Sequence, residues 1–167
     1  MRKYLLDENV FIEAHKRYYA LDLVPGFWES LINNHKINKI FSIEYIKKKL
    51  EDYGDDLSKW IKSNLPATFF VSINTSTINW YGQMQIWANT QSQFLNAAKA
   101  EFASSNNTDC WLIACAKADN YVLVTHEVFN PNITVKIPIP NVCNVFGVDC
   151  INTFDMLREL KVELVLK

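Results

Sequence analysis

Apolar runs of strand length at Tyr4 to Leu6, Thr68 to Ile73 and Tyr121 to Val124, with a weaker one around Cys150-Ile151, are held apart by stretches with helical periodicity. Short strands separated by helices of about ten residues or more suggest parallel pairing through right-handed crossovers. The expected architecture is an α/β sandwich with helices on both faces of a sheet. The helical stretches are Val10 to Tyr19, Phe27 to His35, Ile43 to Tyr53, Leu57 to Asn64, Thr77 to Ser104 with a break near Thr90, Cys110 to Ala118, and Phe154 to Leu160. In "NPN" and "IPIP" the prolines remove backbone donors, so Asn130 to Pro140 is expected to be a surface excursion rather than a helix.

A chain of 167 residues, 49% of them hydrophobic, can cover both faces of a small sheet, and neither a repeat nor a linker divides it. One domain spanning 1–167 is expected. With 21% charged residues, four Gly and five Pro, the composition excludes low-complexity and disordered classes. No apolar run approaches the roughly 20 residues of a membrane span, and Met1-Arg2-Lys3 leads into a strand rather than a signal-peptide core. A cytoplasmic location without a membrane partner is the expectation. Cys110, Cys115, Cys143 and Cys150 sit in apolar surroundings without CxxC spacing, and read as buried thiols. Trp80, Met84 and Trp87 follow i, i+4, i+7 spacing and mark a helix face directed at the core, as do most of the other aromatics.

A net charge of −1 denies the chain a uniformly basic surface. Nucleic-acid binding would therefore rest on local clusters such as Arg2/Lys3, His15/Lys16/Arg17, Lys36/Lys39 and Lys47/Lys48/Lys49. No P-loop, GxGxxG fingerprint or nucleophilic triad is present.

Three acids fall where chemistry is usually found in an open α/β sheet, at the carboxyl ends of strands and the starts of helices. Asp7 ends the first strand in "LLDENVFI", Glu127 follows the strand in "VLVTHE", and Asp109 opens the strongly apolar helix in "TDCWLIACA". Carboxylates brought together raise one another's pKa, and a divalent cation relieves them. Mg²⁺ and Mn²⁺ accept a shell of carboxylates, waters and phosphate oxygens, which points toward phosphodiester hydrolysis. Asp7, Asn9 and Asp109 read equally as helix caps, and spacing alone does not choose between the two roles. His126, Asp22 and Asp149 read as structural or turn residues.

The order "LLDENVFI", "TDCWLIACA", "VLVTHE" resembles the PIN-domain family of metal-dependent nucleases. The stretches "RYYALDLVPGFW", "VKIPIPNVC" and "FGVDCINTFDML" resemble a prokaryotic branch of PIN-like proteins. The resemblance implies a three-layer α/β/α sandwich with a central parallel sheet of four or five strands. It further implies Mg²⁺- or Mn²⁺-dependent endonucleolytic cleavage of RNA, commonly by the toxin of a toxin–antitoxin pair with an antitoxin protein as partner. A homodimer is expected. Carried over by position, Asp7, Asp109 and Glu127 are the expected metal ligands and catalytic acids, and Asn9 orients the first ligand or a bound water. One further acid is expected on the helix in "FSIEYIKKKLEDY", where alignment places Lys49; Glu51 and Glu44 are the substitutes within reach of a register shift. Lys49 in the site would compete with a metal, so the alternative is a catalytically degenerate RNA-binding or protein-interaction module. Glu8, where the family more often has Ser or Thr, is expected to point into solvent.

Overall fold

In the computed structural model, which describes residues 1–166, the sheet is built outward from β1 (Tyr4–Leu6). All three β1 residues are buried. Successive strand side chains point to opposite faces, so a strand buried at every position is covered on both sides, as parallel sheets are. β1 pairs in parallel with β2 (Ile40–Ile43), Leu5 lying opposite Phe41, and with β4 (Val122–Val124), Leu6 lying opposite Val124. β3 (Phe70–Val71) and β5 (Cys150–Ile151) extend the two edges, also in parallel. The order is β3-β2-β1-β4-β5, five strands among the described residues. The three-layer sandwich with a central parallel sheet is therefore what the chain forms.

Helices supply every crossover. They are α1 (Glu8–Glu13), α2 (Pro25–Lys36), α3 (Glu44–Asp52), α4 (Asp56–Asn64), α5 (Thr75–Thr90), α6 (Asn96–Phe102), α7 (Asp109–Asp119), α8 (Ile139–Phe146) and α9 (Thr153–Glu159). A π-helical turn, Ala14–Tyr18, extends α1, so the periodic segment from Val10 to Tyr19 is one helical run with a widened last turn. α7 is the most deeply set helix: Cys110, Leu112, Ile113, Ala114, Cys115 and Ala116 are all buried. α5 packs along it, with Met84 inside and Trp80 and Trp87 half-buried against the core, as their spacing predicts. The break expected near Thr90 separates α5 from α6. Cys110, Cys115, Cys143 and Cys150 are free thiols, and burial pushes those of Cys110 and Cys115 up to about 12. Among the described residues, no helix is long and apolar enough to cross a membrane.

Two elements escape the periodicity. "IFSI" runs into "EYIKKKLED" without a breaker, so β2 is masked as the start of a helix. Its polar member, Ser42, is buried because its hydroxyl donates to the Leu6 carbonyl at 2.8 Å. The other is α8, which begins inside the Pro-rich excursion. Pro140 sits in its first turn, where a missing N–H breaks no helical bond, and Gly147 ends it at φ +64. Only Asn130 to Pro138 is irregular, with Ile137 already buried. Phe27 is buried and stacks on Tyr19 with ring centroids 4.3 Å apart.

Because Leu5 is wholly buried between two partner strands, Leu5→Ala leaves a cavity in the middle of the sheet. The expected loss is about 2–5 kcal/mol in urea unfolding, with an unchanged denaturant slope. A loss well under 1 kcal/mol would contradict the central placement of β1.

Candidate active site

β1 ends at Leu6, and the next residue stays extended (φ −74, ψ 157) before α1 begins. The Asp7 amide still donates to the Val124 carbonyl, 3.0 Å away, so the β1–β4 register continues for one residue and sets Thr125 beside Asp7. One Asp7 oxygen, Oδ1, accepts from the Glu8 N–H at 2.6 Å and caps α1; the other, Oδ2, accepts from the Thr125 hydroxyl at 2.8 Å. One oxygen thus fills the cap role, while the other is turned toward Thr125. Asn9 ties the same edge together, donating to Thr125 Oγ1 at 3.3 Å and accepting from the His126 N–H at 3.2 Å.

Asp109 is the first residue of α7, but its carboxylate caps nothing. Asn107 accepts the Asp109 N–H at 2.8 Å, and among the described residues no group donates to the Asp109 side chain. Glu127 comes from the segment after β4. It accepts from the Ile139 N–H at 2.8 Å, at the start of α8, and pairs with Lys136.

Asp7, Asn9, Asp109 and Glu127 line one cleft of about 380 Å³ at the carboxyl edge of the sheet. Burial pushes the Asp7 carboxyl up to about 8, and repulsion from Asp109 and Glu127 adds to it; the bonds from Thr125 and the Glu8 N–H oppose the rise without cancelling it. Burial also pushes Asp109 up to about 6, again with Glu127 adding, while Lys136 and Lys49 offset part of the rise.

Not every expected acid reaches the cleft. Glu51 faces Lys47 at 3.9 Å and Glu44 accepts from the Ile73 N–H at 3.4 Å; neither lines it. The register of α3 delivers Lys49 instead, 2.6 Å from Glu8. Glu8 itself does not point into solvent: it lines the cleft and also accepts from the Tyr53 hydroxyl at 2.5 Å. Its position one residue after Asp7, on the first turn of α1, turns it toward α3.

Two further members, Lys136 and Glu101, were not legible beforehand. Lys136 lay in a stretch expected to be an excursion, and Glu101 sits in the last turn of α6 with no motif around it. His126 is placed outside the cleft, its ring facing the Thr153 hydroxyl at 3.1 Å, and burial lowers its pKa. Asp149 pairs with Arg2 at 2.8 Å, and Asp22 lies exposed in a turn.

Among the described residues, no three His, Cys, Asp or Glu side chains are gathered closely enough to hold a metal ion as they stand. The donor chemistry nevertheless suits Mg²⁺ or Mn²⁺. The donors are oxygens, and such ions are often held by one or two carboxylates, with waters and substrate phosphates completing the shell. Asp7 and Asp109, which repel each other and have no lysine in contact, fit that requirement.

The molecule is thus an α/β-sandwich protein with an acid-lined cleft at the carboxyl edge of a parallel sheet. It belongs to the family described as "Domain of unknown function (DUF4411)", whose model matches residues 4–164. Among solved structures it is similar to VapBC2 from Rickettsia felis, crystallised with a DNA fragment from its promoter. That match has 17% identity and a TM-score of 0.49, covering 80% of this chain and 96% of the other. It is also similar to VapBC-1 from nontypeable Haemophilus influenzae, with 18% identity and a TM-score of 0.49 over 88% and 95% of the two chains. No curated protein matches it in sequence.

The raised carboxyl groups fix the sign of the pH dependence. Asp7 has an ordinary value of 3.8 and a folded value of about 8, so between those limits the folded state holds a proton that the unfolded state has lost. Stability is therefore greatest below about pH 4 for this group and falls as pH rises toward 8. Asp7→Asn is expected to remove that fall, gaining a few kcal/mol over the metal-free parent at pH 8 and little at pH 4. Thermal melts of the two proteins across that range check it. A variant less stable than the parent at pH 8 contradicts the buried, repelled carboxylate.

Proposed function

We propose that this protein is a metal-dependent endoribonuclease that hydrolyses RNA phosphodiester bonds, acting as the toxin component of a toxin–antitoxin pair. The observation that carries the chemistry is the convergence of Asp7, Asp109 and Glu127 in one cleft, with Asp7 so buried and repelled that it holds its proton to about pH 8. At neutral pH an acid in that condition ionises fully only when a cation offsets the burial and repulsion. The toxin assignment and the RNA substrate rest on the sequence resemblance to PIN-domain nucleases.

Asp7 and Asp109 would hold a Mg²⁺ or Mn²⁺ ion, with Glu127 and Asn9 beside them. When bound, the ion supplies Lewis-acid stabilisation of phosphoryl charge and a water acidified into a usable range. The chain does the positioning. Thr125 and the Glu8 N–H fix the Asp7 carboxylate from two sides, and Asn9 locks Thr125 to the segment carrying Glu127. Lys49 and Lys136 bring positive charge to the rim, where a phosphate backbone passing over the cleft would meet it.

A second reading has its own observation. Lys49 on Glu8 and Lys136 on Glu127 already neutralise two of the acids, so the cleft also suits a non-catalytic RNA-binding module that has kept the fold.

Two measurements separate these readings. Calorimetric titration of Mn²⁺ at low salt is expected to show saturable binding by the wild-type protein that Asp7→Asn abolishes. Cleavage of structured RNA is expected to fall on the order of a hundredfold or more in Asp7→Asn and in Asp109→Asn. Unchanged cleavage in either variant sinks the nuclease assignment. Removing the ammonium in Lys49→Ala is expected to tighten Mn²⁺ binding severalfold by freeing Glu8. Absence of Mn²⁺ binding at millimolar concentration, in both the wild type and Lys49→Ala, favours the non-catalytic module.

A further inference from the structure

Beside the acid cleft lies a larger cavity of about 760 Å³ between α3, α5 and the start of α7. The two adjoin, since Lys49, Asn106 and Asn107 line both. The second cavity differs in chemistry. Its wall is aromatic: Tyr81 stacks on Trp111 with ring centroids 3.8 Å apart and planes 15° apart, and Tyr45 meets Trp111 edge-on at 5.5 Å. These rings are held by one another, so a ligand stacking on them immobilises little that was free. Its rim carries two lysines and one acid: Lys48 is exposed and makes no ion pair among the described residues, Lys49 stands at the boundary with the acid cleft, and Asp52 is exposed beside them.

We infer that this cavity is the subsite for an unstacked nucleobase of single-stranded RNA, the nucleotide next to the phosphate that lies over the acid cleft. This rests on the nuclease reading for the identity of the strand, and it adds which form of RNA the site accepts. Three features select the occupant. The aromatic wall takes a flat ring, Lys48 and Lys49 take the backbone charge beside it, and the shared border with the acid cleft sets base and phosphate in adjacent places. A base inside a duplex is stacked on both faces and cannot enter, so paired RNA is excluded unless a bulge or loop presents the nucleotide. Every base has a π-face, so the wall by itself confers little sequence preference.

The test uses the full-length protein carrying Asp7→Asn, so that binding is read without cleavage, and a fluorescein-labelled single-stranded hexaribonucleotide of mixed sequence. A hexamer of the same backbone with abasic sites serves as the control. In anisotropy titrations, adding Tyr45→Ala is expected to weaken the base-bearing probe about tenfold, the scale of one aromatic–base stack, and to leave the abasic probe unchanged. Tyr45→Phe is expected to retain binding. Tyr45 is on the exposed side of α3, and Trp111→Phe provides an independent readout: quenching of tryptophan fluorescence on probe binding is expected to diminish in that variant.

Equal affinity of Tyr45→Ala and its parent for the base-bearing probe overturns the subsite, as does an equal loss on both probes. The subsite and the nuclease reading fail separately. Divalent-dependent cleavage by a wild-type background with Tyr45→Ala at unchanged KM sinks the subsite alone. Base-dependent binding at Tyr45 by a protein that cleaves no RNA with Mn²⁺ keeps the subsite and sinks the nuclease.

Discussion

The buried Asp7 carboxylate is the constraint around which the molecule is arranged. It sits one residue beyond a strand whose every side chain is covered, so the same packing that stabilises the sheet strips the acid of water. Fully burying a Leu such as Leu5 or Leu6 contributes roughly 1.5–3 kcal/mol, and burying an acid works against that gain. Two hydrogen bonds, from Thr125 and the Glu8 N–H, soften the penalty without removing it. Both donors come from the strand register and the helix start, so the placement of the acid follows directly from how β1 meets β4 and α1.

Charge in the cleft is distributed unevenly. Asp7, Glu8, Glu101, Asp109 and Glu127 face two lysines, Lys49 and Lys136, and those lysines are spent on Glu8 and Glu127. The acids nearest the middle are left without a contacting cation. A hydrophobic protein interior tolerates such a pair only by keeping a proton on one member, which is the state that burial and mutual repulsion impose on Asp7. The lysines arrive from α3 and from the segment before α8, two parts of the chain that contribute no acid to the centre. Rim and centre are therefore set by different elements, coupled through charge rather than through shared backbone.

How much of this could be read from the residues follows from how local each signal is. β1, β4 and α7 are self-contained apolar runs flanked by an acid, and the sequence pattern located both the elements and the acids beside them, Asp7 after β1, Glu127 beyond β4 and Asp109 at the start of α7. β2 was hidden because its only polar residue, Ser42, is satisfied by a carbonyl of β1, a partner 36 residues away in sequence. α8 was hidden because proline is a breaker everywhere in a helix except its first turn, and no local cue says where that turn begins. The lysine positions depend on helix phase. Glu44, Lys49 and Glu51 lie within two turns of α3, and one residue of rotation, about 100°, decides which of them enters the cleft. Lys136 belongs to an irregular segment, where side-chain direction has no period to read.

The two lysines also bear on how the cleft responds to a ligand. An ammonium tethered beside a carboxylate is present at high effective concentration, so a free cation displaces it poorly unless the ammonium gains another anion. A phosphate backbone at the rim is such an anion, because Lys49 borders both the acid cleft and the aromatic cavity. On the nuclease reading, a strand at the rim would compete with Glu8 for Lys49, and a freed Glu8 would strengthen the negative centre. Cation and polyanion would then favour each other's binding, a coupling that is reciprocal by thermodynamic necessity. In the resting protein the lysine pairs hold that negative field down, which lets a cluster of five acids exist at the edge of a buried sheet.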